Sequence, residues 1–296
     1  IVIDNEVAYG YYQVLFPTVR DAANTNSMQI AEIELIGEVI RDPLVAWVSF
    51  HEAGDLPSGG AAGADFTEAP DKAYTDLLIA NGYEVVRIIT SKTPDVDLLN
   101  TMDLVITSRS VSSSHYSGSG ASLWNSVTAP MIITGGYTTR SSRMGFTTGK
   151  TMVDTTGDIN LAVNDADHPI FAGIDLVDGV MANPFAGIVI YPTDGTTVAK
   201  GVSINNNEMN ADGTLLATVA NEEDPTVGGM VIAEWQAGAT LTHDGGDGTD
   251  ILAGHRLVFL TGARENGYSS ETAGLYDLYT DGELMLLNAI EYMLLQ

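Results

Sequence analysis

A chain of 296 residues with 45% apolar content has room for one large domain, or one large and one small, with ample core. Thirty-nine acidic residues against 12 basic ones leave a net charge of −27 and a pI near 4.1, a field that repels nucleic acid and anionic membranes. The absence of cysteine excludes disulfides, thiolate metal sites and cysteine nucleophiles, and no apolar run is long enough to span a membrane.

The acidic residues are spread over predicted loops, so they read as folded surface suited to an extracellular, salt-rich setting, with divalent cations as counter-ions. Ile1 opens directly on strand-like sequence, as expected of a mature or trimmed product of a longer precursor. Two strand-like runs follow, GYYQVLFPTV (Gly10 to Val19) and MQIAEIELIGEV (Met28 to Val39), joined by the polar turn RDAANTNS. The phrase FPTVRDAANTNSMQIAEIELIG resembles the closing strands of a discoidin-like, galactose-binding-type jelly roll. The resemblance covers residues 1–40 only. The family's sugar-contacting loops would lie in the missing part, so no glycan site carries over. Two strands alone are marginal in water and their edges invite pairing, so they are expected to pack on the following domain or to mediate self-association.

Across the second part, Val45 to Gln296, the pattern alternates between strand and helix as far as Arg140 and after it turns to strand and loop. VAWVSF (Val45 to Phe50) is a buried strand, and KAYTDLLIAN is an amphipathic helix after Pro70, with Ala73, Leu77 and Ala80 on its apolar face and Gly82 at its end. YEVVRII is the next strand, TPDVDLLN a short helix, MDLVITS a strand, and the Ser-rich loop after it ends in a helix carrying Leu123 and Trp124. APMIITGGYTTR (Ala129 to Arg140) reads as a buried strand running into a sharp Gly135–Gly136 bend. Further strands are expected at GIVIYP, TLLATVA, GMVIAEW and HRLVFLTG. A final helix, DGELMLLNAIEYMLL, should be capped by Asp281 and bury Leu284, Leu287, Ile290 and Leu294. The alternation predicts an α/β fold with a doubly wound parallel sheet, preceded by the β-strand pair of residues 1–40.

LLIANGYEVVRI, MDLVITS, DHPIFAGI and the ending HRLVFLTG…DGELMLLNAIEYML, in this order, resemble the class I glutamine amidotransferase-like fold in its trehalose-utilisation (ThuA-like) branch. The resemblance implies a flavodoxin-like sheet, and its members include enzymes acting on sugars. The chain departs from the pattern where an elbow would carry the nucleophile. Gly135, Gly136 and Tyr137 stand there, so thiol chemistry is excluded.

Open α/β sheets gather ligands at the carboxyl ends of their strands. After the first strand come His51, Glu52 and Asp55, residue types that could hold a metal or a sugar hydroxyl, though H-E-x-x-H lacks its second histidine here. Ser108, Ser110 and Ser112 to Ser114 lie beside His115 without a G-x-S-x-G elbow. Tyr116 and Tyr137 are placed to stack a glycan ring, whereas Trp47 and Trp124 read as core. GGDGTD (Gly245 to Asp250) fits one copy of a calcium-binding β-roll turn, with Asp244, Asp247 and Asp250 as oxygen ligands for Ca2+. Two readings follow. The first is a secreted, acidic, non-catalytic structural or binding protein that self-assembles with calcium. The second is a ThuA-like carbohydrate-active enzyme using His51, Glu52 and Asp55.

Overall fold

The structure, a computed structural model, describes residues 41–155, 158–185, 188–190, 195, 197–199, 202–262 and 269–296. The expected strand pair of residues 1–40, with its jelly-roll resemblance and its role in self-association, lies outside the described residues. The body discussed below spans Pro43–Gln296.

In chain order its strands are β1 (Leu44–Ser49), β2 (Glu84–Ile89), β3 (Leu104–Thr107), β4 (Met131–Ile133), β5 (Met152–Asp154), β6 (Leu161–Val163), β7 (Leu176–Val177), β8 (Val180–Met181), β9 (Ile188–Ile190), β10 (Thr197–Ala199), β11 (Ser203–Asn205), β12 (Gly213–Val219), β13 (Met230–Trp235), β14 (Thr240–His243), β15 (Gly248–Ile251) and β16 (Arg256–Phe259). The α-helices are α1 (Gly59–Ala62), α2 (Lys72–Ala80), α3 (Val96–Leu99), α4 (Ser119–Asn125) and α5 (Thr280–Leu294). Ten strands form one sheet in the order β2-β1-β3-β4-β16-β13-β12-β6-β8-β7.

The first half of that sheet is parallel, with β2, β1, β3, β4 and β16 paired in turn. Helices occupy the crossovers between β1 and β2, β2 and β3, and β3 and β4. The order 2-1-3-4, continued by β16, is the flavodoxin-like order, whose switch point lies between β1 and β3. The second half departs from the doubly wound parallel sheet expected: from β16 onward every pairing is antiparallel. Its short strands β6, β7 and β8 carry too few residues to show a period. No helix among the described residues is long and apolar enough to cross a membrane.

The inner parallel strands are legible in the sequence because their faces are buried on both sides, whereas β2, at the sheet edge, has no fully buried residue. Val45, Ala46, Trp47 and Val48 in β1, all of β3 and all of β4 are inaccessible or nearly so. The helix faces differ from expectation. In α2 the buried residues are Tyr74, Thr75 and Leu78, while Ala73 and Ala80 are not buried. In α5 they are Gly282, Met285, Leu286, Ala289, Ile290 and Met293, so only Ile290 of the expected stripe is fully buried. Gly282 turns inward because its Cα packs against the Pro184 backbone carbonyl, where a Cβ would collide. Asp281 lies inside the first turn and favours the helix through its charge, while Tyr279 holds the cap position.

Candidate functional site

At the switch point the loops after β1 and β3 are tied together. The Phe50 N–H donates to the Ser110 carbonyl at 2.9 Å. His51 is fully buried between them. Its Nδ1 accepts from the Ser58 backbone N–H at 3.1 Å, so the proton of the neutral ring resides on Nε2. That N–H donates to Ser110 Oγ at 2.9 Å, and Ser110 Oγ donates in turn to the Ser270 carbonyl at 3.1 Å. Hydrogen bonds therefore run from His51 to Ser110 to a backbone oxygen. A base that activates a hydroxyl needs the opposite polarity, with the hydroxyl donating to imidazole. Burial depresses the His51 pKa below its ordinary value of 6.5, chiefly by desolvation and against the pull of Asp71, which keeps the ring neutral.

The residues around His51 are equally committed. Asp71, fully buried, accepts on Oδ2 from Ser108 Oγ at 2.6 Å and Trp47 Nε1 at 2.9 Å, and on Oδ1 from Arg87 Nη1 at 2.8 Å. Asp55 Oδ1 accepts from Arg87 Nε at 2.5 Å and from Thr75 Oγ1 at 3.2 Å. Glu52 is exposed, with its backbone N–H donating to the Leu56 carbonyl at 3.0 Å. His51, Glu52 and Asp55 are thus placed in three separate settings and share no partner. Ser112 and Ser114 bond each other at 2.7 Å, while the His115 imidazole, through Nδ1, lies 3.2 Å from Thr90 Oγ1 rather than against a serine hydroxyl.

The two tyrosines separate. Tyr116 is fully buried, and its ring stacks on Trp124 at 4.9 Å, so the core takes the face a glycan would need. Tyr137 is half-buried at the bend after β4, with the guanidinium of Arg109 at 5.2 Å from its ring centre and that of Arg140 at 5.0 Å. Gly136 precedes it because the Ser203 carbonyl, in β11, leaves no room for a Cβ. Backbone packing accounts for the glycine at the elbow.

The acidic turn is the tip of the β14–β15 hairpin. Asp244 Oδ2 lies 3.0 Å from His243 Nδ1, and Asp250 Oδ2 approaches His243 Nε2 to 2.9 Å, an ion-pair distance without hydrogen-bond alignment. Asp244 also accepts from the Gly118 N–H, and Asp250 from Ser122 and Asn125 of α4. Both carboxylates therefore dock the hairpin onto α4 and its N-cap, Gly118. Asp247 is exposed. Among the described residues no group of three His, Cys, Asp or Glu side chains is arranged to hold a metal ion.

A polar cluster that the spacing of residues does not reveal sits at the opposite, amino edge of β16. Glu234 of β13 accepts from His255 Nε2 at 2.9 Å and Tyr292 OH at 2.8 Å, with His168 Nε2 3.8 Å from its other oxygen. Burial alone would raise the Glu234 pKa, but these bonds outweigh it and hold the group below the usual carboxylate range. His168 Nδ1 accepts the Ile170 N–H, which places its own proton on Nε2, facing Glu234. Ligation of a metal through that nitrogen would need the other tautomer. The cluster ties the Pro169–Phe171 turn and α5 to the sheet.

No protein-family model matches the chain, and no curated protein matches it. Among solved structures it is similar to one reported as a GMP synthase component from Thermoplasma acidophilum. That match has 12% identity, covers 86% of this chain and 96% of that one, and gives a TM-score of 0.38. It is also similar to a ThuA-like protein from Bacteroides uniformis, at 10% identity over 88% of this chain and 95% of that one, with a TM-score of 0.47. Likeness at this level carries no assignment of function. What the strand order and pairing establish is a mixed α/β protein whose central sheet has a flavodoxin-ordered parallel half.

Proposed function

We propose that this chain is a non-catalytic binding protein, extracellular in setting, that uses the crest of an α/β sheet as a rigid scaffold. The observation that supports it most is the direction of the His51–Ser110–Ser270 hydrogen bonds, which spends the buried imidazole on bracing two loops. Ser108 is likewise engaged as a donor to Asp71, and the bend at Gly135–Gly136 carries no nucleophile. The charge of −27 supports the extracellular setting and calcium as a counter-ion, and self-association through residues 1–40 belongs to the same reading. The carbohydrate-active alternative requires His51, Glu52 and Asp55 to act on one ligand, and their separate partners argue against it.

The test is turnover. A panel of chromogenic glycosides, esters and phosphate esters incubated with the full chain is expected to show no hydrolysis above background. Hydrolysis by the purified chain that disappears in His51→Ala, with the variant still folded by circular dichroism, contradicts the reading.

A further inference from the structure

The chain has 12 basic residues, and three of them, Arg109, Arg140 and Arg143, stand together beyond the ends of β3 and β4. Arg140 and Arg143 are half-buried and converge on one hydroxyl: Arg140 Nη2 lies 3.1 Å and Arg143 Nε 3.4 Å from Ser113 Oγ. Their other partners are neutral. Arg140 Nε donates to the Tyr137 carbonyl at 2.9 Å and lies over the Tyr137 ring, while Arg143 Nη1 donates to the Ser142 carbonyl at 2.7 Å.

Among the described residues no carboxylate comes within ion-pair distance of either guanidinium. In a chain with 39 acidic residues that arrangement calls for a physical reason. Two like charges held close together and partly desolvated are costly, and burial and the charge of Arg143 both depress the Arg140 pKa. The carboxylate that acts on Arg143 from a distance is Asp244, itself engaged by His243 and the Gly118 N–H. The forks are fixed in place by neutral groups, and a planar guanidinium presents paired donors suited to oxyanions. Preorganised donors of this kind gain most when an anion arrives.

We propose that Arg140, Arg143 and Ser113 form a binding site for the oxyanion group of a small ligand, a phosphate, sulfate or carboxylate. The inference rests on the binding reading above and gives that crest its ligand chemistry. Tyr137, with Arg140 over its ring, forms the wall of the site and leaves the anion as the group recognised.

The test is calorimetric titration of the full chain with sodium phosphate, sodium sulfate and sodium acetate, at ionic strength held constant with sodium chloride. Saturable binding of at least one anion is expected, weakened about tenfold or more in the double variant Arg140→Gln/Arg143→Gln. Tighter binding of phosphate or sulfate identifies a tetrahedral anion as the ligand group, and tighter binding of acetate a carboxylate. Circular dichroism establishes that the double variant folds; if it does not, Ser113→Ala and Arg140→Lys/Arg143→Lys, which keeps the charge but loses the fork, take its place with the same expected weakening. No saturable binding by the wild-type chain, or equal binding by a folded variant, overturns the site. Those outcomes leave the non-catalytic reading untouched, whereas hydrolysis in the turnover assay removes that reading even if anions bind.

Discussion

Replacing Asp71 with alanine is expected to cost about 3–5 kcal/mol of folding stability, the usual penalty for removing one partner of a buried ion pair. Asp71 is fully inaccessible and serves three donors from three elements: Trp47 of β1, Arg87 of β2 and Ser108 at the end of β3. Without it the Trp47 N–H and the Ser108 hydroxyl lose their acceptor, and Arg87, whose side chain is 3% exposed, keeps only Asp55 as a charged partner. Asparagine should not rescue the site, because its NH2 group would turn a donor toward Arg87 or toward the Trp47 and Ser108 donors. The urea midpoint should fall with an unchanged m-value. A loss below about 1 kcal/mol would mean that the network contributes no more than a surface pair.

The second large effect is expected at Arg256. This guanidinium is fully buried at the start of β16, and its partners are the carbonyls of Trp124, Asn125, Val127, Ala129 and His255. Three of these belong to the end of α4 and the turn after it, where the helix carbonyls carry partial negative charge, and two of them also accept a backbone N–H, Trp124 from Val127 and Asn125 from Ala253. Burial pushes the Arg256 pKa down to about 9, which still leaves it charged at neutral pH. Two effects compete in Arg256→Met. Removing a desolvated charge is favourable, but the buried Val127 and Ala129 carbonyls lose their donor, while those of Trp124, Asn125 and His255 keep a backbone N–H. At about 1–3 kcal/mol for each unsatisfied buried group, the lost bonds prevail, and a net loss on the order of 2–4 kcal/mol is expected. Hydrogen exchange should quicken first around residues 124–131. Unchanged protection there would refute the capping role.

The parallel half of the sheet is readable because continuous apolar runs such as VAWVSF and LVIT can be satisfied only by burial on both faces. In the antiparallel half β12 and β13 are legible as apolar runs, and what stays hidden is β6, β7 and β8, strands of two or three residues that carry no measurable period. The face of α2 escapes the apolar pattern because Tyr74 and Thr75 turn inward to meet polar partners, Asp277 and Asp55, which a hydrophobicity rule sends outward. Asp71 sits at the N-cap of α2, where an aspartate ordinarily serves the helix; its side chain instead serves the sheet. Only Arg87, a cation inside the apolar run of β2, hints at a buried carboxylate. The Arg140–Arg143 pair leaves no motif, because what distinguishes it is how the fold keeps carboxylates at a distance. His51 is legible as a carboxyl-edge residue, yet its role depends on which nitrogen carries the proton, and that is set by the Ser58 N–H.

The tautomer and charge of His51 can be read directly by long-range proton–nitrogen NMR of the ring. A neutral ring protonated on Nε2 is expected, one that remains so as pH is lowered through 6.5, with the protonation step displaced to lower pH. A ring protonated on Nδ1, or one that titrates at or above 6.5, would present Ser110 with a base and contradict the claim that this crest binds without catalysing.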